Sequence, residues 1–268
     1  MKATVNGIET YYEIHGKRDA SSWLVFSHSL ACSVRMWDEE IARHKANHCV
    51  LAYDTRGHGQ SAAPKGPYTL EALADDLFFL LKELGVSKPH YCGLSMGGML
   101  GQTAALKYPG IFRTMTLADT TSRYPAEAAP MWQERIRIAE SKGMAPLVQP
   151  TLERWFTEPF RKKHPEKVKP VATLIENTPV AGCVGCCAAI PKINVTSRLK
   201  EIKTPTLVIC GEQDPGTPPA MAREIQENIP GAKLVLIPQA AHLSNLEQPE
   251  AFNRALAEFL SSPASARA

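Results

Sequence analysis

The chain has 268 residues, and its 44% hydrophobic and 21% charged residues are ordinary for a soluble globular protein. Its formal net charge of +3 is too small to indicate binding to nucleic acid or to a membrane. The N-terminus lacks an apolar signal segment and no run approaches the ~18 apolar residues of a membrane helix, so we expect a cytoplasmic protein.

The first structural signal is an Asn-Gly pair at Asn6 and Gly7, which is typical of a β-hairpin. Short apolar runs then predict buried strands at residues 23–26, 49–53, 90–92, 115–118, 205–210 and 233–237. Apolar residues at helical spacing lie between these runs, for example from Leu70 to Leu84, and a last helix is predicted near 250–260. This alternation predicts an α/β fold: a mostly parallel sheet with helices on both faces, to which the hairpin adds antiparallel edge strands.

The alternation is interrupted between residues 122 and 197. This stretch is helical in character, is broken by prolines, and contains Trp132 and Trp155. An insertion after one strand would lie over the C-terminal ends of the strands. We therefore predict a helical lid at residues 122–197, inserted into a core formed by residues 1–121 and 198–268.

The strongest chemical signal follows the strand at 90–92. Residues 93–97, Gly-Leu-Ser-Met-Gly, fit the Gly-x-Ser-x-Gly pattern, and a helix-compatible stretch comes next. A nucleophile elbow requires this order of strand, sharp turn and helix, and small residues on both sides of the serine let strand and helix approach. We predict Ser95 as the nucleophile of a serine hydrolase; the alternative is an ordinary glycine-rich turn.

A histidine is the expected partner of Ser95, because a serine hydroxyl is a poor nucleophile near neutral pH without a base. His242 lies in the loop directly after the last predicted strand, and we predict it as the base. His15, His44 and His48 lie in early surface-like segments, and His58 and His164 lie in turns, so their claims are weaker. His28 can be read as a second catalytic histidine, but shaping its own loop is the preferred interpretation.

An acid is expected to orient His242 and to stabilise the imidazolium that forms. Asp214 ends the penultimate strand and lies between Ser95 and His242 in the sequence, which is the order expected on this type of fold. Asp119 and Asp54 also end predicted strands and remain alternatives, although both could simply cap turns. We predict Asp214 as the acid.

Acyl transfer also requires two N–H donors for the developing oxyanion. We predict Met96, the residue after the nucleophile, and Leu30, in the loop after the first buried strand. No metal and no organic cofactor are expected. Cys183, Cys186 and Cys187 resemble half of a zinc site, but no second pair of Cys or His residues lies at ligand spacing, so reduced and packed thiols are the preferred interpretation.

Several segments together resemble the 3-oxoadipate enol-lactonases, which are α/β-hydrolases of aromatic compound degradation. They span nearly the whole chain, lid included, at residues 53–59, 66–68, 92–98, 154–157, 186–189 and 241–245. The segment 92–98 and the Arg-Gly-His-Gly turn at 56–59 are shared by many hydrolases. Arg-Trp-Phe-Thr at 154–157, Cys-Cys-Ala-Ala at 186–189 and Leu-Ser-Asn at 243–245 are more particular to this group. The resemblance implies the α/β-hydrolase fold.

The resemblance also implies a reaction: ring opening of a small enol-lactone that carries a carboxymethyl group. Ser95 would attack the lactone carbonyl while His242 takes the proton of the serine. Because the expelled enol tautomerises to a ketone, ring opening needs little help from an acid. Water activated by His242 would then release the dicarboxylate.

An anionic substrate requires a cation in the pocket. Arg123 lies where the family pattern also has an arginine, at the entrance to the lid, and its guanidinium suits a carboxylate. A surface ion pair is an equally good interpretation of Arg123. Trp132 and Trp155 are candidate walls of the pocket, although tryptophans of a lid also pack between helices. His28 is a further candidate because its loop adjoins the pocket.

Departures from the family pattern leave the exact lactone open. They are the His-Ser-Leu-Ala stretch at 28–31, Cys183 and Asp119. A carboxylesterase with broader ester specificity is the second interpretation, and a ligand receptor on a hydrolase scaffold is the third. Haloalkane dehalogenases and epoxide hydrolases are disfavoured, because they use a carboxylate nucleophile where this chain has Ser95. The sequence does not indicate an oligomeric state.

Overall fold

A single eight-stranded sheet forms the centre of the computed structural model, which describes residues 1–17 and 22–262. The strands are β1 (Lys2–Val5), β2 (Ile8–His15), β3 (Trp23–Ser27), β4 (Cys49–Tyr53), β5 (His90–Leu94), β6 (Thr114–Ala118), β7 (Thr206–Gly211) and β8 (Lys233–Ile237). Across the sheet they lie in the order β1-β2-β4-β3-β5-β6-β7-β8. The pairs β1–β2 and β2–β4 are antiparallel and the remaining pairs are parallel, so the predicted sheet is confirmed.

Helices connect the strands and also fill the interval between β6 and β7. They are α1 (Asp38–His44), α2 (Leu70–Glu83), α3 (Met96–Lys107), α4 (Ala129–Lys142), α5 (Ala145–Trp155), α6 (Glu158–Lys163), α7 (Pro165–Asn177), α8 (Val180–Ala189), α9 (Pro219–Asn228), α10 (Ser244–Glu247) and α11 (Pro249–Leu260). Short 3₁₀ helices lie at Val34–Trp37, Ala126–Ala128, Ile190–Lys192 and Thr196–Glu201.

The predicted hairpin lies at the edge of the sheet. Asn6 and Gly7 have φ values of 48° and 76°, and Val5 pairs with Ile8 across the turn. Two consecutive positive φ values are what a tight hairpin turn requires, since its twist then matches that of the strands. The hairpin therefore adds its antiparallel strands at one edge, as predicted.

Both faces of the sheet are buried. In β3, Leu24 and Phe26 belong to one apolar cluster, whereas Val25 between them belongs to a second cluster on the other face. Alternate side chains of a strand point to opposite faces, so a sheet covered on both sides needs apolar residues at every position. This is the reason that the buried strands are continuous apolar runs in the sequence.

The parallel strands bring several loops to one edge of the sheet, because their carboxyl ends coincide there. Leu30 follows β3, Ser95 follows β5, Asp214 follows β7 and His242 follows β8. Residues that are far apart in the sequence therefore face a common space.

Helices α4 to α8 lie within residues 122–197, which we name the cap. Its helix α8 packs directly on backbone of the core: a Cβ added at Gly182 would lie 1.8 Å from the carbonyl oxygen of Gly57. The N–H of Tyr68 also donates to the carbonyl of Gly185 at 3.2 Å. Glycine at Gly182 thus lets the helix approach the core. The boundaries of the cap as a separate domain, and its role as a lid, remain predictions.

All seven cysteine side chains are buried, as expected for packed thiols. Within residues 1–17 and 22–262, no single helix has both the length and the apolar character to cross a membrane. Helix α7 and the segment Val180–Lys192 reach that length and composition only when they are taken together, and they are bent by 92° relative to each other.

Candidate active site

Ser95 lies in a strained turn between β5 and α3. Its backbone has φ 57° and ψ −112°, values that side-chain-bearing residues rarely adopt. The turn is crowded on both sides: a Cβ at Gly97 would lie 2.2 Å from the carbonyl oxygen of Ser27, and one at Gly93 would lie 2.4 Å from that of Gly97. Glycine is therefore required at both positions, and the turn presents the Ser95 hydroxyl at the carboxyl edge of the sheet.

Three predicted site residues form a continuous chain of hydrogen bonds. The Ser95 Oγ lies 2.9 Å from His242 Nε2, and His242 Nδ1 lies 2.8 Å from Asp214 Oδ2. All three side chains are buried or nearly so, and they belong to loops after three different strands. The arrangement allows proton transfer from a hydroxyl to an imidazole that a carboxylate orients.

The surroundings of Asp214 favour its ionised form. Burial opposes ionisation, but the neighbouring His242, the Thr217 hydroxyl at 2.6 Å and the N–H groups of Gly216 and Thr217 outweigh it and hold the pKa of Asp214 below its ordinary value. Burial likewise opposes protonation of His242, yet the Asp214 charge raises the pKa of His242 above its ordinary value. Both shifts stabilise a proton on the imidazole.

The two alternative acids make other contacts. Asp119 accepts hydrogen bonds from the N–H of Gly211 at 2.8 Å and from the Ser244 hydroxyl. Burial and the nearby charge of Asp214 raise the pKa of Asp119 to about 8. Asp54 accepts from backbone N–H groups, at Val34 among others, and so caps turns. Of the three candidates, Asp214 is the one that contacts His242.

Leu30 and Met96 both lie near Ser95. Met96 is the first residue of α3, where a backbone N–H has no acceptor within the helix, and Leu30 lines the same cavity as Ser95. Cys32 donates to the carbonyl of Ser29 and Ala31 donates to the ring of His58, which fixes the path of the loop around Leu30. The structure therefore brings both predicted oxyanion residues to the nucleophile, and their roles remain a proposal.

His28 does not line the cavity, so the structure does not bring it to the place that its prediction as a substrate-binding residue requires. The ring is fully buried; its Nδ1 contacts the carbonyl of Ser29 at 2.7 Å and its Nε2 accepts from the N–H of Thr55 at 2.9 Å. Burial lowers the pKa of His28 to about 4. Because both ring nitrogens are bound to backbone, His28 shapes its loop, which was the preferred interpretation of the sequence.

An apolar cavity of about 230 Å³ opens beside Ser95 and His242. Its apolar walls are formed mainly by the cap and include Trp132, Ile138, Leu147, Pro150, Trp155 and Ile190, with Leu30 from the core. Trp155 stacks on the His242 ring at a centroid distance of 6.0 Å, and Trp132 packs edge-on against Tyr124. The structure therefore places Trp132 and Trp155 at the cavity, as the sequence suggested.

Arg123 does not line the cavity, so the structure does not bring it to the place that its predicted role as the substrate clamp requires. Its guanidinium donates to Glu224 at 2.6 Å, and its side chain is 59% exposed. The hydrogen bonds to Glu224 raise the pKa of Arg123. Arg123 points toward α9, away from the cap interior, and pairs there with Glu224. The structure therefore contains the surface ion pair, which was the alternative interpretation of the sequence.

Two other arginines, which sequence analysis missed, line the cavity. Arg154 is exposed at the rim, with Nη1 3.0 Å from the Met131 sulfur, and Arg135 donates to the Thr151 hydroxyl at 3.0 Å. Within residues 1–17 and 22–262, neither forms an ion pair with a carboxylate. Helical spacing could have indicated Arg135, since it lies one turn after Trp132, and residues one turn apart share a face.

One group of potential metal-ligating side chains is present among the described residues: Asp119, Cys210 and Asp214, whose ligand atoms lie within 4.8 Å of one another. Their environment does not suit a metal ion. Both carboxyls accept hydrogen bonds from N–H and O–H groups, and the Cys210 thiol donates to the carbonyls of Gly211 and Thr217. These contacts are those of hydrogen-bonded carboxyls beside a protonated thiol.

The chain is similar to known proteins in both sequence and structure. Residues 22–249 match the family model described as the alpha/beta hydrolase fold. The chain is 36% identical over 253 residues to 3-oxoadipate enol-lactonase 2 of Acinetobacter baylyi, covering 94% of this chain and 93% of the relative. The crystal structure of the enol-lactonase from Burkholderia xenovorans LB400 superposes with a TM-score of 0.94 at 35% identity, over 98% of this chain and 100% of that one. A thermophilic esterase from Thermogutta terrifontis superposes at 0.91 with 28% identity, over 97% of each chain.

Proposed function

The chain belongs to the α/β-hydrolase family, in which it groups with the 3-oxoadipate enol-lactonases, and on this premise we propose that it opens a small enol-lactone bearing a carboxylate. The family membership makes it a carboxylic-ester hydrolase. One observation carries the finer proposal: the chain of contacts from Ser95 through His242 to Asp214 borders a small apolar cavity that also contains two arginines.

In the first step, Ser95 Oγ attacks the lactone carbonyl while His242 Nε2 takes the hydroxyl proton. The bond between the carbonyl carbon and the ring oxygen breaks, the imidazolium of His242 gives its proton to the departing oxygen, and the ring opens to an acyl-enzyme that carries an enol. Asp214 holds the imidazole in the required orientation and stabilises its positive charge. The N–H groups of Leu30 and Met96 are the donors proposed for the oxyanion, where preorganised donors stabilise the developing charge.

In the second step, water attacks the acyl-enzyme while His242 takes its proton, and Ser95 leaves as the hydroxyl. The product is a dicarboxylate, because the new carboxyl group adds to the one the lactone already carries. The enol tautomerises to a ketone, which draws the ring opening forward. The apolar cap walls limit access of water to the site and so strengthen the electrostatic interactions within it.

The two arginines supply the charge that an anionic lactone requires. The Arg154 guanidinium lies next to Gly216, in the loop that follows Asp214, with Nη2 3.7 Å from the position of a Cβ there. Arg135 lies farther along the cap wall beside Thr151. Since neither is neutralised by a carboxylate of the described residues, each can donate paired hydrogen bonds to a substrate carboxylate. We assign Arg154 as the principal clamp because it is closest to the reacting groups.

Turnover of freshly generated enol-lactone, compared with a neutral five-membered enol-lactone that lacks the carboxyl group, tests this assignment. Arg154→Met is expected to lower kcat/KM for the anionic substrate by about 10–100-fold and to leave the neutral one within about threefold. Arg198→Met, which removes a surface arginine bound to Glu201, is the matched control and should change neither. Equal losses on both substrates would contradict the clamp.

The nucleophile is tested separately. Ser95→Ala is expected to lower kcat/KM for any substrate by about 10⁴-fold or more, because it removes the attacking atom. A fluorophosphonate probe should label the wild-type enzyme at Ser95 and leave the variant unlabelled. Retention of activity in Ser95→Ala would reject the acyl-enzyme mechanism.

A second candidate is a carboxylesterase of broader specificity, and the apolar lining of the cavity favours it. The same contacts among Ser95, His242 and Asp214 serve neutral esters, for which the arginines would be incidental. A higher kcat/KM for neutral aryl or alkyl esters than for the anionic lactone would decide for this function.

A further inference from the structure

The carboxylate of Glu247 is a buried group that the proposed mechanism does not use. It ends α10, and only 4% of the residue is exposed. Its Oε1 accepts from the Thr157 N–H at 3.0 Å and from the Thr157 hydroxyl at 2.7 Å, and its Oε2 accepts from the Ala241 N–H. Within the described part of the chain, no basic side chain forms an ion pair with it. Burial accordingly raises the pKa of Glu247.

This carboxylate joins the cap to the loop that carries His242. Thr157 is the N-cap residue of α6 in the cap, whereas Ala241 immediately precedes His242 in the core. On the other side of His242, the N–H of Leu243 donates to the carbonyl of Trp155 at 3.1 Å. Both chain neighbours of His242 are therefore tied to the same cap segment, 155–157: one directly and one through Glu247.

Side-chain packing adds to this connection. The Trp155 ring that stacks on His242 also lines the substrate cavity. Segments 154–157 and 241–245, which the sequence showed only as separate stretches, thus meet at one carboxylate. A shift of the cap that moves Trp155 must move His242 as well, unless these hydrogen bonds break.

We propose that Glu247 is a positioning residue that couples the seating of the cap to the placement of His242 against Ser95. The buried carboxylate is compensated by three N–H and O–H donors rather than by a cation, so it holds all three in place. The site then reaches its productive geometry only when segment 155–157 is seated. The inference rests on the proposed function, because it assumes that His242 is the base.

Glu247→Gln is the primary test. An amide has one acceptor oxygen and one donor nitrogen, so it cannot accept from both Ala241 and Thr157. We expect kcat to fall by about 10–100-fold with KM changed by less than about threefold, since small displacements of a reacting group reduce rates steeply. The acid limb of the pH profile of kcat/KM should also move to lower pH, because a displaced His242 loses part of the Asp214 charge that raises its pKa.

Thr157 provides a matched pair of variants on the cap side. Thr157→Val keeps the shape but removes the hydroxyl, which donates to Glu247 and also accepts from the N–H of Phe160 at 3.4 Å. It should lower kcat by about three- to tenfold, a smaller loss than that of Glu247→Gln, and should also shift the acid limb. Thr157→Ser restores the donor and should remain within about twofold of wild type. The Glu247→Gln and Thr157→Val effects should be less than additive in the double variant, because both act on one contact.

Two results would overturn the proposal. One is a folded Glu247→Gln protein whose kcat and acid limb match wild type; if that variant fails to fold, the other is a Thr157→Val protein that equals Thr157→Ser. Ser95→Ala, assayed in parallel, separates this failure from that of the proposed function. Inactive Ser95→Ala beside unchanged Glu247→Gln rejects only the positioning role, whereas active Ser95→Ala rejects the mechanism itself.

Discussion

The core loops and the cap contribute to the candidate site in different ways. In the core, backbone geometry places the reacting groups: Ser95 has a strained φ of 57°, and Gly97 lies against the carbonyl of Ser27. In the cap, side chains of helices form the cavity wall, and Arg154 binds no carboxylate of the described residues. Changes in the core should therefore affect the chemical step. Changes in the cap outside segment 155–157, which Glu247 joins to the His242 loop, should affect which substrate reacts.

The largest effect is expected at the acid in the core. Asp214→Asn should lower kcat by about 10⁴-fold, because an amide cannot balance the imidazolium and favours the wrong tautomer of His242. KM should change little, since Asp214 does not line the cavity. Steady-state kinetics on the anionic lactone measure both constants. If Asp119→Asn were instead the more damaging change for kcat, the assignment of the acid would have to be reversed.

The next effect concerns backbone contact at the elbow. Gly97→Ala places a Cβ 2.2 Å from the Ser27 carbonyl oxygen, so β3 and α3 must separate. We expect kcat to fall at least about 100-fold while KM is less affected, because the turn that presents Ser95 is displaced. Circular dichroism shows whether the variant is folded. Wild-type kcat in a folded variant would mean that the elbow tolerates this displacement.

A pH-dependent effect on stability is expected from Asp119, whose pKa is raised to about 8. Between about pH 4 and pH 8 the folded protein keeps a proton that the unfolded chain loses, so stability falls as pH rises through this window. Relative to Asp119→Asn, the wild-type free energy of unfolding should fall by about 2–5 kcal/mol from pH 4.5 to pH 8. Urea unfolding at the two pH values measures the difference. Parallel profiles would show that Asp119 ionises normally.

In the cap, Gly182→Ala is the counterpart of the elbow variant. The new Cβ would lie 1.8 Å from the carbonyl oxygen of Gly57, so α8 must move away from the core. We expect a lower Tm and about a tenfold higher KM for the anionic lactone, with kcat for a small neutral ester retained to within about threefold. A loss of kcat as large as that of Gly97→Ala would remove the distinction between the two regions.

The smallest effect is expected at Arg123. Arg123→Met removes an exposed ion pair with Glu224, and exposed pairs contribute little. Both kcat and KM for the anionic lactone should stay within about twofold of wild type. A rise in KM for the anionic lactone alone would indicate that Arg123 does contact the substrate, in a different position of the cap.

The order of strands and helices was predictable from the sequence because local patterns determine it. Continuous apolar runs indicate strands that are buried on both faces, and the Asn6-Gly7 pair indicates a hairpin turn with two positive φ values. Ser95 was also a local prediction, since the strand, the turn with glycines and the helix are contiguous. In such cases the information lies within about ten residues of the feature.

Contacts of the cap were not predictable in the same way. Arg123 and Arg154 are both arginines of the cap, yet one is bound to Glu224 on the surface and the other lines the cavity. Which of them faces inward depends on how the helices pack, and α9, which lies far along the chain, supplies the partner of Arg123. The position of His28 away from the cavity was unpredictable for a related reason. Its ring nitrogen accepts a hydrogen bond from the N–H of Thr55, which belongs to a loop distant in the sequence.

The sequence by itself thus determined the order of the elements and the strained turn at Ser95. It also indicated His242 and Asp214, because each follows one of two successive strands. The tertiary structure alone decided that the Ser95, His242 and Asp214 side chains contact one another, that Arg154 and not Arg123 borders the cavity, and that Glu247 joins the cap to the His242 loop. The physical reason is the distance along the chain over which each kind of interaction acts. Strand and turn preferences act between neighbours in the chain, whereas cavity walls and ion pairs form between segments that only packing brings together.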